Sequence, residues 1–167
     1  MMLKKILTLS ASLLFLLTAN MTQATDISPK PFTENSLNYI IEQRKGQPII
    51  VALWSIECPP CMAELALLQE MQSKFSADNI VLIATDSPDY IADIMQVLSD
   101  YDLSNTENWL FADTFPERLR YAIDPSWYGE LPRTYFYDKT HQRKAHSGLL
   151  TKAMLEQWLT TNSFNQP

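Results

Sequence analysis

From residue 49 the chain reads IIVALW, six apolar residues following Gly46 and Pro48. A continuous apolar run rich in β-branched residues after a breaker predicts a strand buried on both faces. Upstream, Leu37, Ile40 and Ile41 recur at helical spacing within FTENSLNYIIEQRKGQ, which predicts a short amphipathic helix. The preceding TDISPKP reads as an extended leader. From Pro60 the period changes: Leu65, Leu68, Met71 and Phe75 mark a helix to about Ser76, and NIVLIATD (residues 79–86) is a second apolar strand. Strand, helix and strand within about forty residues form a βαβ unit with parallel, adjacent strands.

Downstream, SPDYIADIMQVLSDYD predicts a helix with Ser87 as N-cap and Ile91, Ile94, Met95 and Leu98 on its apolar face. A short strand (NWLFAD), a short helix (FPERLRYAI) and a Pro- and Gly-containing loop (DPSWYGELP) follow. RTYFYD and HQRKAHSG read as an antiparallel hairpin. The last helix, LTKAMLEQWLTTN, has Met154, Leu155, Trp158 and Leu159 as its apolar face. This order predicts an α/β fold with helices on both faces of a central sheet. No repeat or second-domain boundary interrupts it, so residues 25–167 are expected to form a single domain.

Residues 1–24 stand apart. Lys4 and Lys5 precede an apolar run, ILTLSASLLFLLTA, and TQA ends at Ala24 with small residues around the cut. That order is a signal peptide, and the 14-residue run is short for a bilayer span. The mature protein is therefore expected outside the cytoplasm, periplasmic or extracytoplasmic, and membrane-anchored only if uncleaved. Without Lys4 and Lys5 the 13 basic residues become 11 against 19 acids, a net charge of −8. Such a balance argues against nucleic acid and anionic lipid as partners. Three glycines, with no GxGxxG or Walker pattern, argue against a phosphate loop.

The chemistry rests on IECPPCMAEL, which holds the only two cysteines, Cys58 and Cys61. As a structural staple they would close a very small loop and constrain the unfolded chain little. As zinc ligands they would need both histidines, His141 and His146, with no donor to spare. Two thiols at a helix start are also a Cu(I) donor set, with Met62 adjoining; a copper-delivery or copper-site maturation protein is thus an alternative. Dithiol–disulfide exchange fits the position best. Backbone N–H groups at the helix N-terminus favour a thiolate at Cys58, the nucleophile. Pro59 and Pro60 suit a first turn that has no N–H partners to lose. Cys61, one turn in, is placed to resolve a mixed disulfide on Cys58. This chemistry needs no dissociable cofactor and no metal.

The stretches PIIVALWSIECPPCMAEL, NIVLIATD and GELPRTYFYD, in this order, resemble the thioredoxin superfamily. Within it they resemble the exported TlpA-like branch, with its ResA-like and DsbE-like proteins of cytochrome c maturation. The resemblance spans roughly residues 35–162 and implies a thioredoxin-like fold: a central mixed sheet, helices on both faces, and an αβ insert at residues 87–124. It implies a cis Leu131–Pro132 bond opposite the cysteines, with the Leu131 backbone binding a substrate chain. The implied partners are an exported protein bearing a disulfide and a membrane thiol electron donor.

The chain departs from that pattern at several positions. Glu57 stands where Trp is usual, and Met62 where Lys or Arg is common. Ala52 occupies the place of the buried Asp of thioredoxins, and the hairpin YDKTHQ lacks the usual glycine. Glu57, with less positive charge nearby, is expected to raise the Cys58 pKa and favour a reductant. Glu130, two residues before Pro132, is a candidate proton relay to Cys61. Trp127 and Tyr128 are candidates for an apolar substrate rim.

Overall fold

The computed structural model describes residues 28–74 and 79–162. The signal peptide expected at residues 1–24, and Phe75 at the end of the second helix, lie outside them. Six strands form one mixed sheet in the order β1-β4-β3-β2-β5-β6. At its centre β2 (Ile49–Trp54) has all six residues buried. Burying such side chains stabilises by about 1.5–3 kcal/mol each, so the most apolar run takes the middle of the sheet. β3 (Ile80–Ala84) pairs with it in parallel, as the βαβ pattern predicts. β5 (Arg133–Tyr137) pairs on its other side, antiparallel, and β6 (Arg143–Ser147) closes the hairpin.

Two elements differ from the sequence expectation. The leader contributes β1 (Lys30–Phe32), which pairs in parallel with β4 (Glu107–Phe111) at the sheet edge. Only Phe32 of its three residues is buried, too little for a hydrophobic period to show. The predicted Ser87 helix begins as a 3-10 turn (Pro88–Tyr90), with Ser87 accepting from Asp89 N–H. The α-helix proper, α3 (Ile91–Asp100), buries Ile94 and Leu98 but leaves Ile91 and Met95 exposed.

Helices α1 (Ser36–Glu42) and α4 (Pro116–Ile123) supply buried residues to one face of the sheet. α2 (Pro59–Met71), α3 and α5 (Lys152–Asn162) supply the other. Alternation along β5 sorts its side chains: Tyr135 and Tyr137 join the first cluster, Phe136 the second. The β5–β6 turn works without glycine. His141 takes φ 59°, the Asp138 carboxylate accepts from Thr140 and Gln142 N–H groups, and His141 Nε2 bonds the Arg44 and Gln47 carbonyls.

Candidate active site

Cys58 ends the turn that follows β2 and is the N-cap of α2, with extended backbone (φ −109°, ψ 94°). Pro59 and Pro60 fill the first helical positions, where their fixed φ suits the helix and a missing N–H costs nothing. Cys61 N–H points back at Cys58 Sγ, 3.2 Å away. This is the donor that a helix N-terminus offers a thiolate. The two sulfurs are joined in a disulfide, so this is the oxidised form. Cys61 is 0% exposed while Cys58 is partly open, so an incoming thiol or disulfide can reach only Cys58. Met62 is half-buried and packs against the same apolar cluster as both cysteines.

The turn before Cys58 is acidic. Ser55 Oγ donates to Asp86 at the end of β3 (2.8 Å), and Ile56 N–H reaches the same carboxylate (3.3 Å). Burial pushes the Asp86 pKa up, the Ser55 and Ile56 bonds oppose this, and the charge of Glu57 adds to the rise. Glu57 itself is exposed, its N–H donating to Ser55 Oγ. Two carboxylates thus flank the turn that carries the reachable sulfur.

Ala52 is buried in β2, and its cross-strand partner in β5 is Thr134. Thr134 Oγ1 donates to Glu64 Oε1 at 2.8 Å, and Leu150 N–H donates to Glu64 Oε2 at 3.1 Å. Glu64 lies in α2 three residues after Cys61 and is 2% exposed. A carboxyl absent from β2 is therefore supplied to the same side of the sheet by α2. Burial raises its pKa, and the two hydrogen bonds offset this only in part. Glu64 is not among the site residues expected from the sequence. A signal was present, because a lone carboxylate interrupts the buried stripe of Cys61, Leu65, Leu68 and Met71.

Register brings the loop at 124–132 to the same end of the sheet. Leu53 pairs with Arg133, which sets Pro132 level with Trp54, just before the cysteine turn. The Leu131–Pro132 bond is cis. Leu131 is half-buried and packs on the cluster that contains Cys61, and Pro132 is buried with its carbonyl accepting from Gly148 N–H. The two aromatic rim candidates separate. Trp127 is buried and donates from Nε1 to the Glu130 carbonyl, whereas Tyr128 is 91% exposed.

Glu130 is placed differently from the expected relay. Its carboxylate accepts from Arg133 Nη1 (3.2 Å), Ser147 Oγ (2.9 Å) and Tyr128 N–H (3.3 Å). Burial opposes ionisation, but these bonds and the Arg133 charge outweigh it and hold the pKa below its usual value. A carboxylate so committed is a poor proton carrier; the buried carboxyl on the Cys61 side is Glu64. Among the described residues, no three His, Cys, Asp or Glu side chains converge as a metal site.

No family model matches the chain. Among curated proteins it is similar to the thioredoxin-like protein YneN of Bacillus subtilis, 24% identical across 82% of this chain and 76% of that protein. It is also similar to the thiol-disulfide oxidoreductase ResA of Halalkalibacterium halodurans, 21% identical across 75% and 74%. Among solved structures, a secreted Mycobacterium tuberculosis disulfide oxidoreductase homologous to DsbE superposes with TM-score 0.57 at 20% identity, over 72% of this chain and 85% of that one. A putative DsbE from Chlorobium tepidum gives TM-score 0.55 at 19% identity, over 72% and 83%. The chain is a thioredoxin-fold protein, similar to the ResA-like and DsbE-like proteins.

Proposed function

We propose that the protein is an exported thiol–disulfide oxidoreductase that reduces disulfides in other exported proteins, with a target of the cytochrome c maturation kind. The observation that carries this reading is the asymmetry of the disulfide at the α2 N-terminus, one sulfur reachable and its partner wholly buried. The names of the curated and structural relatives support the reaction class. Among the described residues no helix is long and apolar enough to cross a membrane.

In the reduced protein the Cys58 thiolate attacks one sulfur of the substrate disulfide. A Cys58–substrate disulfide forms, and the other substrate sulfur leaves as a thiolate that takes a proton from water. Cys61 gives its proton to the Glu64 carboxylate and attacks Cys58 Sγ. The Cys58–Cys61 disulfide forms and the second substrate sulfur departs, so two electrons pass to the substrate. A dithiol donor at the membrane reverses the sequence, with Glu64 returning a proton to the departing Cys61 sulfur. The Leu131 backbone, beside the cis bond, receives the substrate chain. The acidic turn of Glu57 and Asp86 disfavours the Cys58 thiolate, which makes the dithiol form a stronger reductant.

The mature protein is expected to reduce insulin in the presence of a dithiol, and Cys58→Ser to abolish this. Cys61→Ala is expected to accumulate a covalent Cys58–substrate adduct whose mass identifies the target. Undiminished turnover by Cys58→Ser sinks the reading.

A further inference from the structure

Arg133 follows the cis bond directly, and its side chain is only 11% exposed. Burying a guanidinium costs several kcal/mol before its partners compensate, and here Nε has no hydrogen-bond partner among the described residues. Packing alone would be served as well by an apolar side chain. What the guanidinium supplies is a planar fork with fixed directions. Nη2 donates to Asp124 Oδ2 at 3.0 Å, and Nη1 donates to Glu130 Oε1 at 3.2 Å and to Ser147 Oγ.

These partners are the two ends of one loop. Asp124 is the first residue after α4, and Glu130 is two residues before the cis proline. Arg133 ties both to β5, and through Ser147 to β6. The grip extends along the loop: the same Glu130 carboxylate accepts from Tyr128 N–H, and the Glu130 carbonyl accepts from Trp127 Nε1. Asp124 is secured in turn by Tyr135 Oη at 3.1 Å and by Ser126. The outcome is a loop pinned at both ends that presents one almost fully exposed aromatic, Tyr128, three residues before Leu131.

We infer that Arg133 is a positioning residue for polypeptide substrates: it fixes residues 124–132 so that the Leu131 backbone and the Tyr128 side chain meet the chain that flanks the substrate disulfide. This rests on the oxidoreductase reading above. Arg133 lies on the sheet face opposite the Cys61 cluster and leaves the chemistry of the sulfurs untouched. Its effect is on docking, and it vanishes for a disulfide with no polypeptide to dock.

The test compares two disulfides, insulin and the small aromatic 5,5′-dithiobis(2-nitrobenzoate), using the full mature chain. Arg133→Met is expected to raise KM for insulin about tenfold with kcat held. The rate with the small disulfide and the Cys58–Cys61 potential should stay within twofold of wild type. Arg133→Lys keeps the charge without the fork and is expected to fall between. Glu130→Gln leaves the buried Arg133–Asp124 pair intact and should shift KM in the same direction by a smaller factor, which decides the matter if Arg133→Met does not fold. Equal losses on both disulfides, a loss in kcat alone, or no loss on either overturns the positioning role. Wild-type protein that reduces neither disulfide overturns instead the oxidoreductase reading.

Discussion

Two neighbouring residues of β5, Arg133 and Thr134, open onto opposite faces of the sheet and onto opposite electrostatic regimes. Thr134 faces a mostly apolar cluster with one buried carboxyl, Glu64, whose partners are a hydroxyl and an amide. Arg133 faces a charged network in which Asp124 lies near Arg143 as well (3.5 Å). Both carboxyls are almost wholly buried, yet they titrate in opposite directions. Burial pushes Glu64 up and neutral donors only partly resist. Burial pushes Asp124 up too, but bonds from Ser126 and the Arg143 charge prevail and hold it down at about 2. Burial alone therefore does not tell an acid from a fixed charge; the donors and cations gathered around it do. One face keeps a buried carboxyl held only by neutral donors, and the other commits its carboxylates to holding a loop.

The largest effect is expected where a charge is removed from the fixed network. Asp124→Asn removes the buried one of the two carboxylates that Arg133 pairs with, leaving only the half-exposed Glu130, and should cost about 3 kcal/mol in denaturant unfolding. The acid side of the stability profile should change with it. Because the folded Asp124 pKa is depressed, its contribution is present above 3.8 and lost as pH falls toward about 2; the variant should lack that slope. Equal acid sensitivity in both proteins would show that Asp124 is not the anchor.

A smaller but more informative effect is expected on the other face. Glu64→Gln should slow resolution of a Cys58 mixed disulfide by about 100-fold while leaving its formation unchanged. The sign of the stability linkage is reversed here. With a raised folded pKa, Glu64 is tolerated best below 4.5 and disfavours the fold as pH rises through that pKa, so the variant should lose this alkaline-side decline. Unchanged resolution would return Cys61 deprotonation to solvent and remove the functional half of the contrast.

The smallest effect is expected at the rim. Glu57 is exposed, and an exposed charge is worth no more than about 1 kcal/mol, so Glu57→Gln should make the potential more oxidising by at most about 20 mV. Equilibration with a glutathione buffer reads this shift, and a more reducing variant would reverse the assigned role of the acidic turn.

Local pattern determined much of this protein. The six-residue apolar run of β2, the change of period at Pro60 and the cysteines between them are consecutive in the chain. A period of two or near four reports burial directly, so strand, helix and reactive turn were legible together. The resemblance carried by LPRTYFYD likewise anticipated the cis bond at Leu131–Pro132. The pattern failed where burial is partial. β1 has one buried residue, and Ile91 and Met95 continue an apolar stripe beyond what the core covers. Only the tertiary structure decided which carboxyl does what. Glu64 finds its partners 70 and 86 residues away, and Glu130 is drawn to Arg133 and Ser147 rather than to Cys61. An acid's pKa is set by the charges and donors that folding gathers around it, and those neighbours are distant in sequence.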